Sequence, residues 1–266
     1  MRPPNQSKIG AVYGIHSVEI ESDKILAHNT TKNARDVELE ELEGPLGRLL
    51  RTSIWAQELS SQQIKRVTAD VIARRLRAGE VVYCKGEPID NWIGVIDGFV
   101  KISSDAPDGK SVTFTVVTDG GWFGEGSLLK SEFVKHDAVA LRDTVIALMP
   151  RATFHWLLQH NIPFNRFLLN QSNERLEQSI AMVECDRLLG RNARVARCLA
   201  LLFNPYLNPG IQPHIPISQE EIGHLSGICR QRVNETLHVL EKTGLLRVEY
   251  GGITVIDPAG LSRLSE

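Results

Sequence analysis

Near the C-terminal end a stretch of the sequence runs Ile217-Ser218-Gln219-Glu220-Glu221-Ile222-Gly223 and passes through Gly227-Ile228-Cys229-Arg230 to Lys242. It ends in Leu246-Arg247-Val248-Glu249-Tyr250, Gly251-Gly252 and Ile253-Thr254-Val255-Ile256-Asp257. Ser218 and Glu221 have capping-box spacing, in which the hydroxyl accepts from an early amide and the glutamate reaches back to the cap. A short helix follows, with Ile222 and Leu225 inward. Gly227 lies where two helices must turn sharply, and a second helix is predicted from about Cys229 to Lys242. Val233, Leu237 and Leu240 give that helix an apolar stripe, with Val239 beside it. Arg230, Gln231, Asn234 and Glu235 are left on the other face, near its N-terminal end. Gly244 stops the helix, and the last two runs read as a two-stranded wing.

Helix–glycine–helix alone occurs in many bundles, but the order and spacing of all these parts specify a winged helix-turn-helix. Its second helix offers polar side chains to base edges from its N-terminal end. The alternative is a winged helix used only for protein contacts.

Working outward, the pattern is helical from Pro150 onward, with Pro163 placed at a first turn where its missing donor costs nothing. Leu169, Leu176 and Val183 recur at heptad spacing, with Ile180 beside them. Such a seam on a polar helix favours pairing with a second copy; the alternative is packing on its own barrel. From Ala69 to Met149 short apolar runs alternate with turn formers. The runs are Val71-Ile72-Ala73, Glu80 to Tyr83, Trp92 to Ile96, Phe99 to Ile102, Ser111 to Thr118, Ala138 to Arg142 and Thr144 to Met149. Ala78-Gly79, Lys85-Gly86, Asp97-Gly98, Pro107-Asp108-Gly109 and Asp119-Gly120-Gly121 punctuate them, which predicts an antiparallel sandwich or jelly roll. Before it, Leu46, Leu49, Leu50 and Ile54 suggest a short helix, and Ser60-Ser61-Gln62-Gln63 a second capping box.

The fold class is therefore α+β, in four parts. They are a partly ordered extension over 1–44, a barrel over 45–160, a dimerisation helix over 161–189 and a winged helix-turn-helix over 190–266.

Composition bounds the function. The 266 residues are 42% hydrophobic and 23% charged, with a net charge of −2, so any DNA-binding surface must be local. The four cysteines, Cys84, Cys185, Cys198 and Cys229, lack CxxC spacing and read as reduced thiols. The first residues have no apolar signal core, and no apolar run is long enough for a bilayer, so a cytoplasmic protein is expected, with no membrane partner. His155 and His160 would splay to different helix faces, which discounts a metal pair. The expected strands lack the histidines of a metal-dependent cupin, and no nucleophile–base motif is present, so no enzymatic function is expected. Arg187, Arg191, Arg194 and Arg197 recur at helical spacing and are read as a solvated face near the hinge rather than a phosphate stripe.

From about residue 46 onward the chain resembles the Crp/Fnr superfamily, the regulators related to the cyclic-AMP receptor protein and the fumarate–nitrate regulator. Ile217 to Gly223 and Gly227 to Arg230 resemble its helix-turn-helix signature. Gly86-Glu87-Pro88, Asp97-Gly98-Phe99-Val100 and Gly121-Trp122-Phe123-Gly124-Glu125 resemble its barrel motifs. The resemblance implies a cyclic-nucleotide-binding-like jelly roll, a long dimerisation helix and a homodimer on palindromic double-stranded DNA, with RNA polymerase as partner. It places Arg230 on the guanine-reading arginine, Gln231 where cyclic-AMP receptor proteins carry a base-reading glutamate, and Glu235 where they carry an arginine. Ser218, Asn234 and Arg232 complete the expected DNA-binding set, Arg232 facing phosphate or solvent.

In the barrel the resemblance puts Gly124 and Glu125 at the phosphate turn and ribose hydroxyl. His136 and Asp137 stand where an arginine–serine pair clamps the phosphate, and Ser179 and Ile180 where a polar pair meets adenine. A neutral imidazole and a carboxylate are poor phosphate partners. Lys135 could substitute only as a flexible point charge; the alternative is that a shifted alignment or another arginine, Arg142 being the nearest, restores the clamp. The expectation is therefore a regulator not switched by cyclic AMP in the usual way, whose barrel binds something else or no small molecule at all; no cofactor is assigned, and a cyclic nucleotide is doubtful. The alternatives are a cyclic-nucleotide-responsive activator with a diverged pocket, or a constitutive factor set by abundance or thiol oxidation. Cys229, at the entry to the second helix, is the candidate redox site.

Overall fold

The computed structural model describes residues 42–106 and 111–264. The expected extension as far as residue 41 and the Pro107-Asp108-Gly109 turn lie outside them.

The barrel strands are β1 (Ile72–Leu76), β2 (Val81–Tyr83), β3 (Asn91–Asp97), β4 (Phe99–Asp105), β5 (Ser111–Thr118), β6 (Trp122–Phe123), β7 (Asp137–Ala140) and β8 (Thr144–Pro150). They form two four-stranded antiparallel sheets, ordered β1-β8-β3-β6 and β2-β7-β4-β5. One core joins their inner faces. At its centre Trp55, Trp92 and Trp122 are buried together, with Trp92 stacked on Trp122 at 4.3 Å between ring centroids. Trp122 donates from Nε1 to Ser53 Oγ at 2.9 Å, so its one polar atom is satisfied inside the core. Gly94 makes room for this stack, because a Cβ there would lie 2.8 Å from the Trp122 ring.

Helix α1 (Gly44–Thr52), a 3₁₀ turn (Ile54–Glu58) and α2 (Ser61–Asp70) close one side of the barrel. Ser60 and Gln63 make both halves of their capping box, at 3.4 and 2.9 Å. Helix α3 (Glu125–Lys130) and the strands β6 and β9 (His214–Ile215) are too short to leave a periodic signal in the sequence. Helix α4 (Arg151–His160) leads into the long α5 (Ile162–Leu188). Asn161 caps α5 by accepting from the Phe164 N–H at 2.7 Å. Its inner face buries Phe164, Phe167, Leu168 and Gln171 against the barrel.

After Gly190 come α6 (Arg191–Leu201), α7 (Gln219–Ser226), α8 (Arg230–Lys242), β10 (Leu246–Glu249), β11 (Gly252–Val255) and α9 (Pro258–Arg263). The last sheet is ordered β10-β11-β9. These elements share a second core of Val195, Leu199, Ile222, Leu225, Val233, Leu237, Leu240 and Ile253, among others. Phe99 and Val116 of the barrel are buried in that same core. Asn208, in the loop between α6 and β9, accepts from the Thr118 N–H at 3.0 Å and donates to the Val116 carbonyl at 3.3 Å. Strand β5, an edge of its sheet, thereby has part of its unpaired backbone satisfied by this loop.

Candidate nucleic-acid interface and barrel site

Helix α7 begins at Ser218, whose Oγ accepts from the Glu221 N–H at 3.1 Å. Glu221 does not reach back to complete the expected box. Its Oε1 instead accepts from Lys101 Nζ of the barrel at 3.4 Å, because a cation outcompetes the neutral cap amide for a half-buried carboxylate. Gly227 turns the chain with φ +66°, a left-handed value that favours glycine, and α8 starts three residues later. Val233, Leu237 and Leu240 are fully buried and anchor α8, while Val239 is exposed.

This anchoring turns Arg230, Gln231, Arg232 and Glu235 outward, all exposed on the first two turns. Arg230, Gln231 and Arg232 have no hydrogen-bond or ion-pair partner among the described residues. Asn234 differs: it is half-buried, and its Oδ1 accepts from Gln219 Nε2 of α7 at 2.9 Å. Glu235 Oε2 meets Arg191 Nη1 of α6 at 3.3 Å. A cleft of about 350 Å³ separates the wing from the two helices, lined by Ser218, Glu220, Arg230, Val248, Glu249 and Gly251 among others. Tyr250 stands fully exposed at the tip of the wing.

Cys229 is the N-cap of α8; it is exposed and makes no side-chain capping bond. Cys185 and Cys198 are buried, and burial pushes the Cys198 thiol up to about 12. The arginines at helical spacing are not simply solvated. Arg194 pairs with Asp186 at 2.6 Å and bonds the Ser226 carbonyl, and Arg191 holds Glu235.

In the barrel, Gly124 takes φ +93° and opens α3, which places Glu125 in the interior. Glu125 Oε1 accepts from Arg175 Nε of α5 at 2.9 Å, and Arg175 Nη2 donates to the Trp122 carbonyl at 2.6 Å. Gln171, one turn earlier on α5, donates to the same carbonyl at 2.7 Å. Tyr83 lies beside this pair; burial, reinforced by the Glu125 charge, pushes its phenol far above the ordinary value. Arg175 carries no signal in the sequence, since one arginine on a polar helix gives no sign of a partner 50 residues away.

The other pocket candidates fall elsewhere. His136 is at the surface with its ring against Phe114 at 4.7 Å. Partial burial, then the nearby Lys85 charge, holds its pKa below the usual imidazole value. Asp137 Oδ1 accepts from the Lys85 N–H at 2.8 Å. Ser179 Oγ donates back to the Arg175 carbonyl, and Ile180 lies exposed with Leu176 and Val183. Lys135 pairs with Glu132 at 2.9 Å, and Arg142 with Asp97 at 3.5 Å while covering the Phe99 ring. No group of three or more His, Cys, Asp or Glu among the described residues could hold a metal, and none of their helices is long and apolar enough to cross a membrane.

A jelly roll joined by a long helix to a winged helix-turn-helix defines a DNA-binding transcription regulator with a cyclic-nucleotide-binding-like domain. Residues 73–161 match the cyclic nucleotide-binding domain family and residues 193–264 the Crp-like helix-turn-helix domain family. The transcriptional regulator LdrP of Thermus thermophilus is 29% identical over 195 residues, spanning 71% of this chain and 95% of the relative. A CRP-like cAMP-activated global transcriptional regulator of Mycobacterium tuberculosis is 27% identical over 188 residues, spanning 70% and 84%. The structure of FixK2 from Bradyrhizobium japonicum superposes with a TM-score of 0.63 over 74% of this chain and 98% of that one; at 22% identity the likeness is one of fold. The chain belongs to the Crp/Fnr superfamily of transcription regulators, as its recognition motifs led us to expect. Both of these relatives are named as transcription regulators.

Proposed function

We propose that this chain acts in the cytoplasm as a homodimer on palindromic promoter sites, where it meets RNA polymerase, and that cyclic AMP does not switch it. The outward, unpaired set Arg230, Gln231 and Arg232 on the first turn of α8 carries the DNA-binding part. Arg230 reads guanine through its fork, Gln231 and Glu235 read neighbouring bases, and Ser218 and Arg232 hold phosphates. Asn234 acts through its free amide nitrogen. Dimerisation rests on Leu169, Leu176, Ile180 and Val183, which are 66%, 59%, 55% and 51% exposed on the outer side of α5. A monomer would leave that apolar seam in water.

Against cyclic AMP stand His136 and Asp137, whose side chains are committed to Phe114 and to the Lys85 amide, and Ile180, which lies on the seam. The Gly124–Glu125 turn alone does not neutralise a buried phosphate. The test is to select genomic fragments with the purified protein, then titrate binding with cyclic AMP, cyclic GMP or no ligand. The affinity should be the same in all three. Tightening by either nucleotide at low micromolar concentration would overturn this and favour a responsive activator with a diverged pocket.

A second reading, thiol control, is favoured by the exposed and uncapped Cys229 beside Arg230. Oxidation to a sulfenate or beyond would put oxygen and negative charge against the DNA phosphates. Mild peroxide should weaken operator binding, a thiol reductant should restore it, and Cys229→Ser should be insensitive. Equal sensitivity of both proteins would remove Cys229 from consideration.

A further inference from the structure

The first two residues of α6 grip the recognition helix at successive positions. Arg191 Nη1 meets Glu235 Oε2 at 3.3 Å, and Asn192 Oδ1 accepts from Thr236 Oγ1 at 3.0 Å. Thr236 is fully buried, so the second contact fixes the register of the two helices. Gly190, the N-cap of α6, follows directly on the end of α5, so the grip sits at the hinge between the long helix and the DNA-binding domain.

We propose that Arg191 is a positioning residue for base reading, holding Glu235 so that its free carboxylate oxygen reads a cytosine. The inference rests on the DNA-binding reading above. Glu235 is the only acidic residue in the first eight positions of α8, and it faces outward among Arg230, Gln231 and Arg232. An unneutralised carboxylate carried into a groove between phosphates is repelled by them and spreads over several rotamers. Arg191 acts on both problems: its guanidinium stays charged, and its single Nη1 bond to Oε2 restrains the carboxylate it meets. Oε2 is the oxygen held, and Oε1 has no partner among the described residues. A carboxylate with one oxygen pinned and the other free presents one directed acceptor. The cytosine N4 amine is the major-groove donor that carboxylates read.

The experiment is selection from a library of randomised operators by the full chain, as wild type, Arg191→Gln, Arg191→Lys, Glu235→Gln and the double variant Arg191→Gln with Glu235→Gln. Wild type should prefer cytosine at one symmetric pair of positions. Arg191→Gln and Glu235→Gln should each lose about tenfold discrimination at that pair alone, one good contact's worth. The guanine preference set by Arg230 should persist in both, which shows that the domain is folded. Arg191→Lys should keep most of the preference, and the double variant should be no worse than Glu235→Gln. The proposal fails if Arg191→Gln weakens all sequences equally and lowers the salt dependence by about one phosphate contact with cytosine preference intact. If wild type selects no sequence at all, the DNA-binding reading falls, and this inference with it.

Discussion

Arg175 on α5 donates from Nε to the Glu125 carboxylate at 2.9 Å, tying the long helix to the first turn of α3. Glu125 is almost wholly buried, and its other oxygen has no partner, so the ion pair is what makes its charge tolerable inside the barrel. Removing one member of a buried pair costs about 3–5 kcal/mol, and the partial exposure of Arg175 brings Arg175→Ala down to about 2–3 kcal/mol. Adding Glu125→Gln should recover part of that loss. Urea unfolding checks both, and a loss below about 0.5 kcal/mol for Arg175→Ala would show the pair to be incidental.

Tyr83 gives the alkaline limit of the same site. Burial and the Glu125 charge raise its folded-state pKa far above that of the unfolded chain. The unfolded state therefore releases the phenolic proton first. Stability from this group is fully present below the unfolded value of about 10 and falls as pH rises through the folded one. Tyr83→Phe should flatten the loss of stability measured from pH 9 upward, on a scale of about 1.4 kcal/mol per pH unit at most. An unchanged slope would place the alkaline transition elsewhere.

Much of the fold is legible in the sequence because it is written locally. Asp97-Gly98 and Asp119-Gly120-Gly121 mark turns, and Val233, Leu237 and Leu240 mark the buried face of α8. What escapes is set by residues far apart along the chain. Lys101 takes Glu221 from its expected cap, Arg175 seeks Glu125, and Phe99 and Val116 leave the barrel core for the core of the winged domain. Nothing in the pattern around any of these residues names its partner. Elements as short as β6, α3 and β9 are held by tertiary contacts and have no periodicity of their own. Asn234 reads as outward from helical spacing, yet Gln219 turns it in at 2.9 Å.

Leu176 sits in the middle of the exposed seam on α5. Leu176→Arg places a charge where a second copy would pack and should convert the dimer to a monomer at micromolar concentration. Because the seam lies outside the barrel core, the monomer should keep its fold. Sedimentation equilibrium checks the mass, and a wild type already monomeric at that concentration would contradict the pairing.

Arg230 and Arg232 stand two positions apart on α8 and are both exposed, and we propose different roles for them. Arg230→Ala should cost about 1–3 kcal/mol per half-site and relax the preference at one guanine position. Arg232→Ala should weaken binding nearly uniformly and lower the dependence on salt by about one phosphate contact. Competition assays over a set of single-base operator variants separate the two, and identical specificity profiles would show the assignment to be wrong.

A twofold dimer that reads DNA through α8 leaves a specific footprint, which hydroxyl-radical cleavage of DNA selected by the full chain measures. Two protected half-sites should appear, inverted with respect to one another and centred about 34–36 Å apart, one turn of the duplex. Protection of a single unrepeated half-site, or uniform protection without sequence preference, would contradict the account.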